Sequence, residues 1–246
     1  MRINFNRIAY EALQVCNALA LDAVEAAVAA TGLPPGARTL DIGTGNAVVP
    51  IMLTERFGFA VTAIELDPGM AELARARIAA AGAAVDLVEA RSGDVLATSA
   101  SFDLITAIGT IEPAGAGLRA PADVFAGLAA HLTPGGFLLW GDVVWKGEPP
   151  EPLRQMMELN NSYADDAGWR AAAASADLEV VSARMSPDPE WGHYTTTMQT
   201  AAETWLAAHP DDEAAPGVRR NADRVKAMFA FGRPFMDFGL YLLRRP

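Results

Sequence analysis

The sequence predicts a doubly wound α/β fold: a mostly parallel seven-stranded sheet with an antiparallel last strand, helices on both faces and a helical lid insertion. Short apolar runs alternate with helical stretches of about 10 to 15 residues, a spacing typical of right-handed βαβ crossovers. Glycines follow the first apolar run, where a strand must turn into a helix. Hydrophobic residues make up 51% of the 246 residues, so the chain can bury one substantial core.

The elements follow one another in a regular order up to residue 142. Residues 6–31 have the alanine content and apolar spacing of a helix, and a turn rich in Gly and Pro follows at 32–36. Strands are predicted where short apolar runs end in turn residues, at 37–42, 59–65, 84–89, 102–108, 136–141, 178–185 and 238–243. Helices are predicted at 47–57, 68–81 and 122–131, with a polar loop between the third and fourth strands. After residue 142, prolines and tryptophans surround looser helical runs, which predicts a lid.

Composition argues against several classes of protein. Nineteen basic and thirty acidic residues give a net charge of −11, the wrong sign for neutralising nucleic acid phosphates, so we expect no nucleic acid partner. Cys16 is the single cysteine, which excludes an intramolecular disulfide framework and fits the reducing cytoplasm. The first residues lack the apolar run of a signal peptide, and no stretch is apolar for long enough to span a membrane. We therefore expect a cytoplasmic protein without a membrane partner.

The first predicted strand runs into a glycine loop that indicates a cofactor. Gly43 and Gly45 lie where the strand turns into a helix, and their missing Cβ atoms let a ligand approach the backbone. Glu65 ends the second strand, twenty residues after Gly45, at the position from which a carboxylate accepts the hydroxyl hydrogens of a ribose. Together these residues predict a nucleoside-containing cofactor at the carboxyl edge of the sheet.

The spacing of the small residues separates two kinds of nucleoside cofactor. A dinucleotide fingerprint needs a small residue at Val48, whereas the third small residue here is Ala47. The loop therefore favours a cofactor other than a dinucleotide. An NAD(P)-dependent oxidoreductase of the Rossmann type stays open as an alternative.

With this loop the chain resembles the class I S-adenosylmethionine-dependent methyltransferases, whose acidic-x-G-x-G-x-G motif it matches except at Ala47. The resemblance extends to Glu65 and to segments 101–105 and 132–137. Segments 140–145 and 190–194 look like an uncharacterised bacterial branch of small-molecule methyltransferases. The resemblance implies a Rossmann-like fold, S-adenosyl-L-methionine as cofactor with S-adenosyl-L-homocysteine as product, and methyl transfer to a small-molecule acceptor. A module that binds the cofactor without catalysis is a further alternative.

The resemblance also implies how the domain is divided and which residues frame the cofactor. We expect one domain, 1–246, with an N-terminal helical cap at 1–36, a cofactor-binding core at 37–142, and a lid with the substrate region and closing strands at 143–246. Residues that the resemblance places around the methionine, ribose and adenine groups are Asp41, Gly43, Gly45, Glu65 and Leu66.

Three positions concern the two ends of the cofactor. The carbonyl of Gly109 is implied to accept from the methionine ammonium group. The family often has an aspartate beside the adenine amino group where this chain has Ala90. The backbone of Arg91 or the side chain of Asp94 is expected to supply that contact instead.

Residues for the acceptor are less constrained by the sequence. His193 lies among aromatic residues and is the first candidate for a general base, because histidine side chains titrate near neutral pH. Glu112 is a candidate base or substrate anchor, and Tyr10 borders the methyl site from the first helix. A surface histidine and an ordinary loop carboxylate are the alternatives for His193 and Glu112.

Aromatic residues and carboxylates in the second half suggest further roles. Trp145, Trp191 and Tyr194 are expected to wall the acceptor pocket. Asp142 matches one ligand of magnesium-dependent methyltransferases, but Gly109 and Thr110 offer no acid to complete an oxygen ligand set. We therefore expect no metal. The acceptor atom and the oligomeric state are not determined by the sequence.

Overall fold

The computed structural model describes residues 3–159 and 161–246, and a seven-stranded sheet forms its centre. The strands are β1 (Arg38–Ile42), β2 (Ala60–Glu65), β3 (Val85–Glu89), β4 (Phe102–Ile108), β5 (Leu132–Trp145), β6 (Glu179–Met185) and β7 (Met236–Arg244). Their order across the sheet is β3-β2-β1-β4-β5-β7-β6. Met1 and Arg2 of the predicted cap and Asn160 of the predicted lid lie outside the described residues.

The predicted strand directions are confirmed. Strands β1 to β5 pair in parallel, whereas β7 is antiparallel to both of its neighbours, β5 and β6. Helices cover both faces of the sheet, as parallel strands require. They are α1 (Phe5–Glu11), α2 (Leu21–Ala29), α3 (Val48–Phe57), α4 (Pro68–Ala81), α5 (Ser92–Thr98), α6 (Pro121–Ala129), α7 (Glu151–Met157), α8 (Asp166–Ser175), α9 (Asp188–Ala208) and α10 (Ala215–Gly232).

The two faces of the sheet carry separate hydrophobic cores. On one face, Leu104 and Leu139 pack in a cluster with residues of α1 to α3, α9 and α10. On the other face, Ile105 and Trp140 pack with residues of α6 and α8, including Trp169. Adjacent strand residues thus alternate between the cores, which fixes the strand register because a slip of one residue would exchange them.

The predicted helix over 6–31 is wrong, because the chain leaves the helix after α1 and resumes it at α2. Asn46 explains the interruption: its Nδ2 donates to the carbonyls of Tyr10 and Leu13, at 2.9 and 2.8 Å. Residues 12–20, here called the strap, therefore cross the glycine loop instead of continuing the helix. Leu13, Val15, Ala18 and Leu19 of the strap are buried, so this irregular segment is part of the core.

Two further predictions need correction. The polar loop between β3 and β4 contains α5, a helix of seven residues. The fifth strand has 14 residues and is much longer than the predicted 136–141, because β5 pairs with β4 on one side and with β7 on the other. Pairing with β7 extends from Phe137 opposite Arg244 to Trp145 opposite Met236.

The longest helices, α9 and α10, lie in sequence between β6 and β7 and pack against each other and against α1. They place the C-terminal half of the chain next to the strap. None of the helices in the described part of the chain combines the length and hydropathy that a bilayer crossing needs.

Candidate active site

The loop after β1 takes a backbone conformation that favours glycine. Gly43 and Gly45 have φ values of +71° and +58°, and Ala47 has a φ of +64°. The amides of Gly43 and Thr44 both donate to the carbonyl of Ile64, at 3.0 and 2.9 Å, which ties the loop to the end of β2. Ala47, in the place of the third glycine, therefore adopts a left-handed conformation that is unusual for a residue with a side chain.

Side chains from distant segments lie directly against three glycines. A Cβ atom on Gly43 would lie 2.3 Å from the Oγ1 atom of Thr110, and one on Gly45 would lie 3.0 Å from the Cys16 sulfur. On Gly109, a Cβ atom would lie 2.2 Å from the Oδ1 atom of Asn17. Real Cβ atoms essentially never come as close as the distances at Gly43 and Gly109, and the distance at Gly45 is tight. All three residues also have a positive φ, so these positions favour glycine. The three glycines, here called the glycine cradle, surround one end of a cavity.

Glu65, at the end of β2, accepts hydrogen bonds from the loop after β1 and from its own following residues. Its Oε2 accepts from the amide of Gly45 at 2.8 Å, and its Oε1 accepts from the amides of Leu66 and Asp67 at 2.9 Å each. Burial raises the pKa of Glu65 above its ordinary value, and the three amides oppose this shift. A carboxylate has about four acceptor positions, so Glu65 keeps capacity for a further donor.

A cavity of about 660 Å³ opens at the carboxyl ends of β1, β2 and β4. The expected cofactor residues that line it are Gly43, Gly45, Glu65, Leu66, Ala90, Arg91 and Gly109. Leu66 and Ile111 are 53% and 59% exposed and both line this cavity. Two large apolar side chains exposed in one cavity indicate a ligand with an apolar face.

Asp41 lies under the loop and is not among the cavity-lining residues. Its Oδ1 accepts from the hydroxyl of Thr106, while Oδ2 has no hydrogen-bond partner among residues 3–159 and 161–246. Burial raises the pKa of Asp41, and the Thr106 hydroxyl opposes that shift. The expectation that Asp41 frames the ligand directly is therefore corrected, because Asp41 lies beneath the loop and does not line the cavity.

Residues of α1 and the strap form a wall of the cavity. Tyr10, Cys16 and Asn17 line it, and the side chain of Tyr194 on α9 stands behind Tyr10. Burial raises the pKa of Tyr10, with a smaller contribution from the Cys16 thiol and opposition from Tyr194. Burial also raises the pKa of Cys16 to about 12. Both groups therefore stay protonated near neutral pH, so Tyr10 can donate a hydrogen bond.

Glu112 lines the cavity from the turn after β4. Its Oε1 accepts from the amide of Gly117 at 3.2 Å, and its carbonyl accepts from the Ser92 hydroxyl at 2.8 Å. Glu112 has a φ of +50°, a conformation that costs free energy and persists only when neighbouring contacts fix it. The turn is therefore held in place by several contacts from different segments.

His193 does not join this site. It is exposed on α9 and lines a separate groove of about 240 Å³ between the strap and the start of that helix. The expectation that His193 serves as the general base is therefore corrected, because a base must lie within hydrogen-bond reach of the acceptor. The aromatic neighbours that suggested this role belong to the core.

The tryptophans expected to wall the acceptor pocket are also in the core. Trp145 and Trp191 are each 4% exposed, and neither lines the cavity. The indole nitrogen of Trp145 donates to Glu158, and that of Trp191 donates to Asp237, both at 3.0 Å. Tyr194 is likewise buried and reaches the cavity only through Tyr10. Trp145 and Tyr194 are therefore corrected as direct pocket walls. Trp191 does not line the cavity at the strand ends either, but lines a separate cavity of about 650 Å³ between α9 and α10.

Several residues of the site carry no signal in the sequence. Asn46 holds the strap, and Arg77 on α4 donates to the carbonyls of Glu11 and Asn46. Asn161 contacts the turn after β4. Their partners are 31 to 66 residues away in sequence, so no local pattern marks them.

Carboxylate, histidine and cysteine side chains are the usual metal ligands of proteins. Within residues 3–159 and 161–246, no three such side chains lie in a metal-binding arrangement. Asp142 is buried with its Oδ1 on its neighbour's amide, and its Oδ2 has no partner in the described residues. Burial raises the pKa of Asp142 to about 7.

The geometry fits a ligand that contains a nucleoside. The glycine cradle lines the cavity with backbone, Glu65 keeps an acceptor position for hydroxyl groups, and two exposed apolar side chains face the same cavity. Such a site at the carboxyl ends of parallel strands lies where open α/β sheets bind their ligands.

Comparison with known proteins agrees with this geometry. Residues 39–136 match the family model of a methyltransferase domain. The uncharacterized protein YjhP of Escherichia coli K12 is 24% identical over 221 residues, 86% of each chain. A ubiquinone biosynthesis O-methyltransferase of Xanthomonas axonopodis pv. citri (strain 306) is 34% identical over 106 residues, which are 43% of this chain and 42% of that enzyme.

The fold has a close counterpart among solved structures. A SAM-dependent methyltransferase from Geobacter sulfurreducens, in complex with S-adenosyl-L-homocysteine, superposes with a TM-score of 0.83 over 98% of both chains at 23% identity. The match to a methyltransferase domain agrees with the cofactor class that the loop spacing favours. Residues 39–136 are thus similar to a methyltransferase domain, and the chain shares its fold with a SAM-dependent methyltransferase.

Proposed function

We propose that the protein transfers the methyl group of S-adenosylmethionine to a small-molecule acceptor by in-line displacement. The observation that carries the proposal is that one cavity joins the glycine cradle and Glu65 to Tyr10 and Glu112. The net charge of −11 disfavours a nucleic acid acceptor. The partial likeness to a ubiquinone biosynthesis O-methyltransferase also supports a small acceptor.

The cofactor end of the cavity follows from the contacts of its residues. Glu65 binds the ribose hydroxyls with the acceptor capacity that the loop amides leave. Leu66 and Ile111 flank the adenine, and Ala90 and Arg91 border its edge. When bound, the cofactor supplies a methyl group on a positively charged sulfonium sulfur.

The acceptor end lies beside Tyr10 and Glu112. Tyr10 donates a hydrogen bond that orients the acceptor, because its raised pKa keeps the hydroxyl protonated. Glu112 accepts an N–H or O–H of the acceptor and takes its proton where the nucleophile arrives protonated. The strap and α1 exclude water and hold the reacting groups in line, which is the main contribution that a protein makes to such a displacement.

We further propose that these parts belong to one domain over 1–246. The sheet supports a single domain, because β5 crosses the expected boundary between the core at 37–142 and the region at 143–246 and pairs with β7 of the latter. The cap at 1–36 joins them through the packing of α1 against α9 and α10.

Binding of S-adenosyl-L-homocysteine to purified protein, measured by isothermal titration calorimetry, tests the cofactor site. Glu65→Gln is expected to weaken binding about 10- to 100-fold, the loss of hydrogen bonds to a charged group. Glu89→Gln is the matched control, because Glu89 is the register partner of Glu65 on β3 and does not line the cavity. Equal affinities for both variants and the wild type would contradict the proposed site.

A labelling experiment tests the size of the acceptor. Purified protein is incubated with S-adenosylmethionine carrying a tritiated methyl group and a bacterial cell extract, which is then separated by molecular mass. Label is expected in the low-mass fraction and is expected to be lost with Glu65→Gln. Label that precipitates with protein or nucleic acid would overturn the small-molecule acceptor.

A further inference from the structure

Two asparagine side chains hold the turn after β4 from opposite sides. Asn17 belongs to the strap, and its Nδ2 donates to the carbonyl of Ile108 at 3.0 Å. Asn161 lies between α7 and α8, and its Nδ2 donates to the carbonyl of Thr110 at 2.9 Å. The Oδ1 of Asn161 also accepts from the amide of Glu112 at 3.3 Å. Both asparagines come from segments outside the predicted cofactor core.

These contacts distinguish the carbonyl of Gly109 from the carbonyls of the residues before and after it. The carbonyls of Ile108 and Thr110 are each occupied by an asparagine amide. The carbonyl of Gly109 between them accepts no hydrogen bond within residues 3–159 and 161–246, and Gly109 is an exposed residue lining the cavity. Because both neighbouring carbonyls are fixed, the peptide group of Gly109 has little freedom to rotate.

Asn17 also fixes the conformation of Gly109 by direct contact. Its side-chain amide occupies the space where a Cβ of Gly109 would be, and Gly109 has a φ of +62°. On the other side, the Gly109 amide donates to the carbonyl of Gly141 at 2.6 Å. The strap that carries Asn17 is held in turn by the two hydrogen bonds of Asn46.

We propose that Asn17 and Asn161 are positioning residues that aim the free carbonyl of Gly109 at the ammonium group of the cofactor. The inference rests on the proposed cofactor site. A carbonyl fixed in advance binds an ammonium group without the cost of ordering the turn at the moment of binding. The strap and the segment before α8 thereby contribute to cofactor affinity although neither is expected to contact the adenine or ribose.

The test compares two ligands that differ at the amino-acid end. S-Adenosyl-L-homocysteine carries the ammonium group, whereas 5′-methylthioadenosine has the same nucleoside without it. Affinities for both are measured by calorimetry, with displacement titration for the weaker ligand. Asn17→Ala and Asn161→Ala are each expected to weaken S-adenosyl-L-homocysteine about 10-fold and 5′-methylthioadenosine less than about twofold.

Asn221→Ala is the matched control, because Asn221 is exposed on α10 and does not line the cavity. It is expected to leave both affinities unchanged. Asn161 is buried, so its variant is accepted only if it unfolds cooperatively. If it does not, Asn17→Ala, which removes one hydrogen bond at a half-buried position, decides the result.

Three results would overturn the inference. Equal losses for the two ligands would show that the asparagines act only on the stability of the site. Unchanged affinity for S-adenosyl-L-homocysteine would show that the turn needs no such support. Wild-type protein that binds neither ligand would overturn the proposed cofactor site as well. The first two results leave that site intact, so the two kinds of failure are distinguishable.

Discussion

The cofactor edge of the sheet and the helix pair α9 and α10 use side chains in opposite ways. At the edge, glycines line an open cavity with their backbone, and most polar contacts join a side chain to a distant main-chain group. Around α9 and α10, large rings fill the space: Trp191 packs edge-on against Tyr194 and Phe229. Binding capacity therefore depends on the residues that leave room, whereas the aromatic residues stabilise the scaffold that holds the edge in place.

The largest expected effect is at the glycine cradle. Gly43→Ala is expected to weaken S-adenosyl-L-homocysteine roughly 100-fold or more, because the new methyl group would meet Thr110 and displace the loop. Gly82→Ala is the control: Gly82 has a φ of +64°, but no described atom lies within 4 Å of its Cβ position. Its expected cost is about 1 kcal/mol of stability without loss of affinity. Calorimetric titration measures the affinities. Equal losses of affinity in Gly43→Ala and Gly82→Ala would contradict a special role for the glycine cradle.

The next effect concerns the buried carboxylate of Asp142. Its folded pKa of about 7 lies above the unfolded value near 3.8, so the folded state binds more protons between these values. Stability is therefore expected to fall as pH rises from 4 to 7 and to level off above 7. Asp142→Asn is expected to lack this fall. Its advantage in unfolding free energy over the wild type is therefore expected to grow by about 2 kcal/mol between pH 5.5 and 8, measured by urea unfolding.

The neighbourhood of Asp142 accounts for this direction. Burial is the larger cause and raises the pKa of the carboxyl group, while the amide of Val143, which donates to Oδ1, opposes the shift. Asp86→Asn, at an exposed position of β3, is the control and is expected to show no such dependence on pH. If Asp142→Asn follows the wild-type pH profile, the carboxylate is ionised in the folded state.

A smaller effect is expected in the aromatic region. Trp191→Phe loses the hydrogen bond to Asp237 and weakens the stacking of Arg233, whose guanidinium lies 4.8 Å above the indole ring. We expect a loss of about 1 to 3 kcal/mol in unfolding free energy. Affinity for S-adenosyl-L-homocysteine is expected to stay within about twofold of wild type, because the ring lies outside the cavity. A selective loss of affinity or turnover at unchanged stability would restore Trp191 as a pocket wall.

The smallest effect is expected at His193. His193→Ala is expected to change stability by less than about 0.5 kcal/mol, as usual for exposed positions. Turnover is expected to stay at the wild-type value, measured by release of S-adenosyl-L-homocysteine once an acceptor is found. A strong loss of turnover with unchanged cofactor affinity would return His193 to the reaction.

The sequence predicts the strands and the cofactor loop well because their requirements are local. Gly43 and Gly45 lie where a strand meets a helix, and Glu65 ends the next strand, so spacing alone locates them. Asn46 and Asn161 escape prediction because each acts on a carbonyl far away in sequence. The same reason explains the broken N-terminal helix, where contacts with the glycine loop override alanine-rich helical propensity.

The aromatic residues fail as predictors for another reason. Tryptophan serves equally well in a pocket wall and in a core, and only packing distinguishes the two. The flanking Gly, Pro and charged residues that suggested a pocket for Trp145 and Trp191 mark the ends of the elements that bury them. Exposure of Leu66 and Ile111 in the cavity is the more informative signal, and it needs the structure.

A crystal structure of the complex with S-adenosyl-L-homocysteine tests the central claim most directly. We predict the ribose hydroxyls on Glu65, the adenine between Leu66 and Ile111, and the ammonium group within hydrogen-bond distance of the Gly109 carbonyl. The sulfur is predicted to face the side of the cavity that Tyr10 and Glu112 line. A ligand bound elsewhere, or an ammonium group on another partner with the Gly109 carbonyl turned away, would contradict the account.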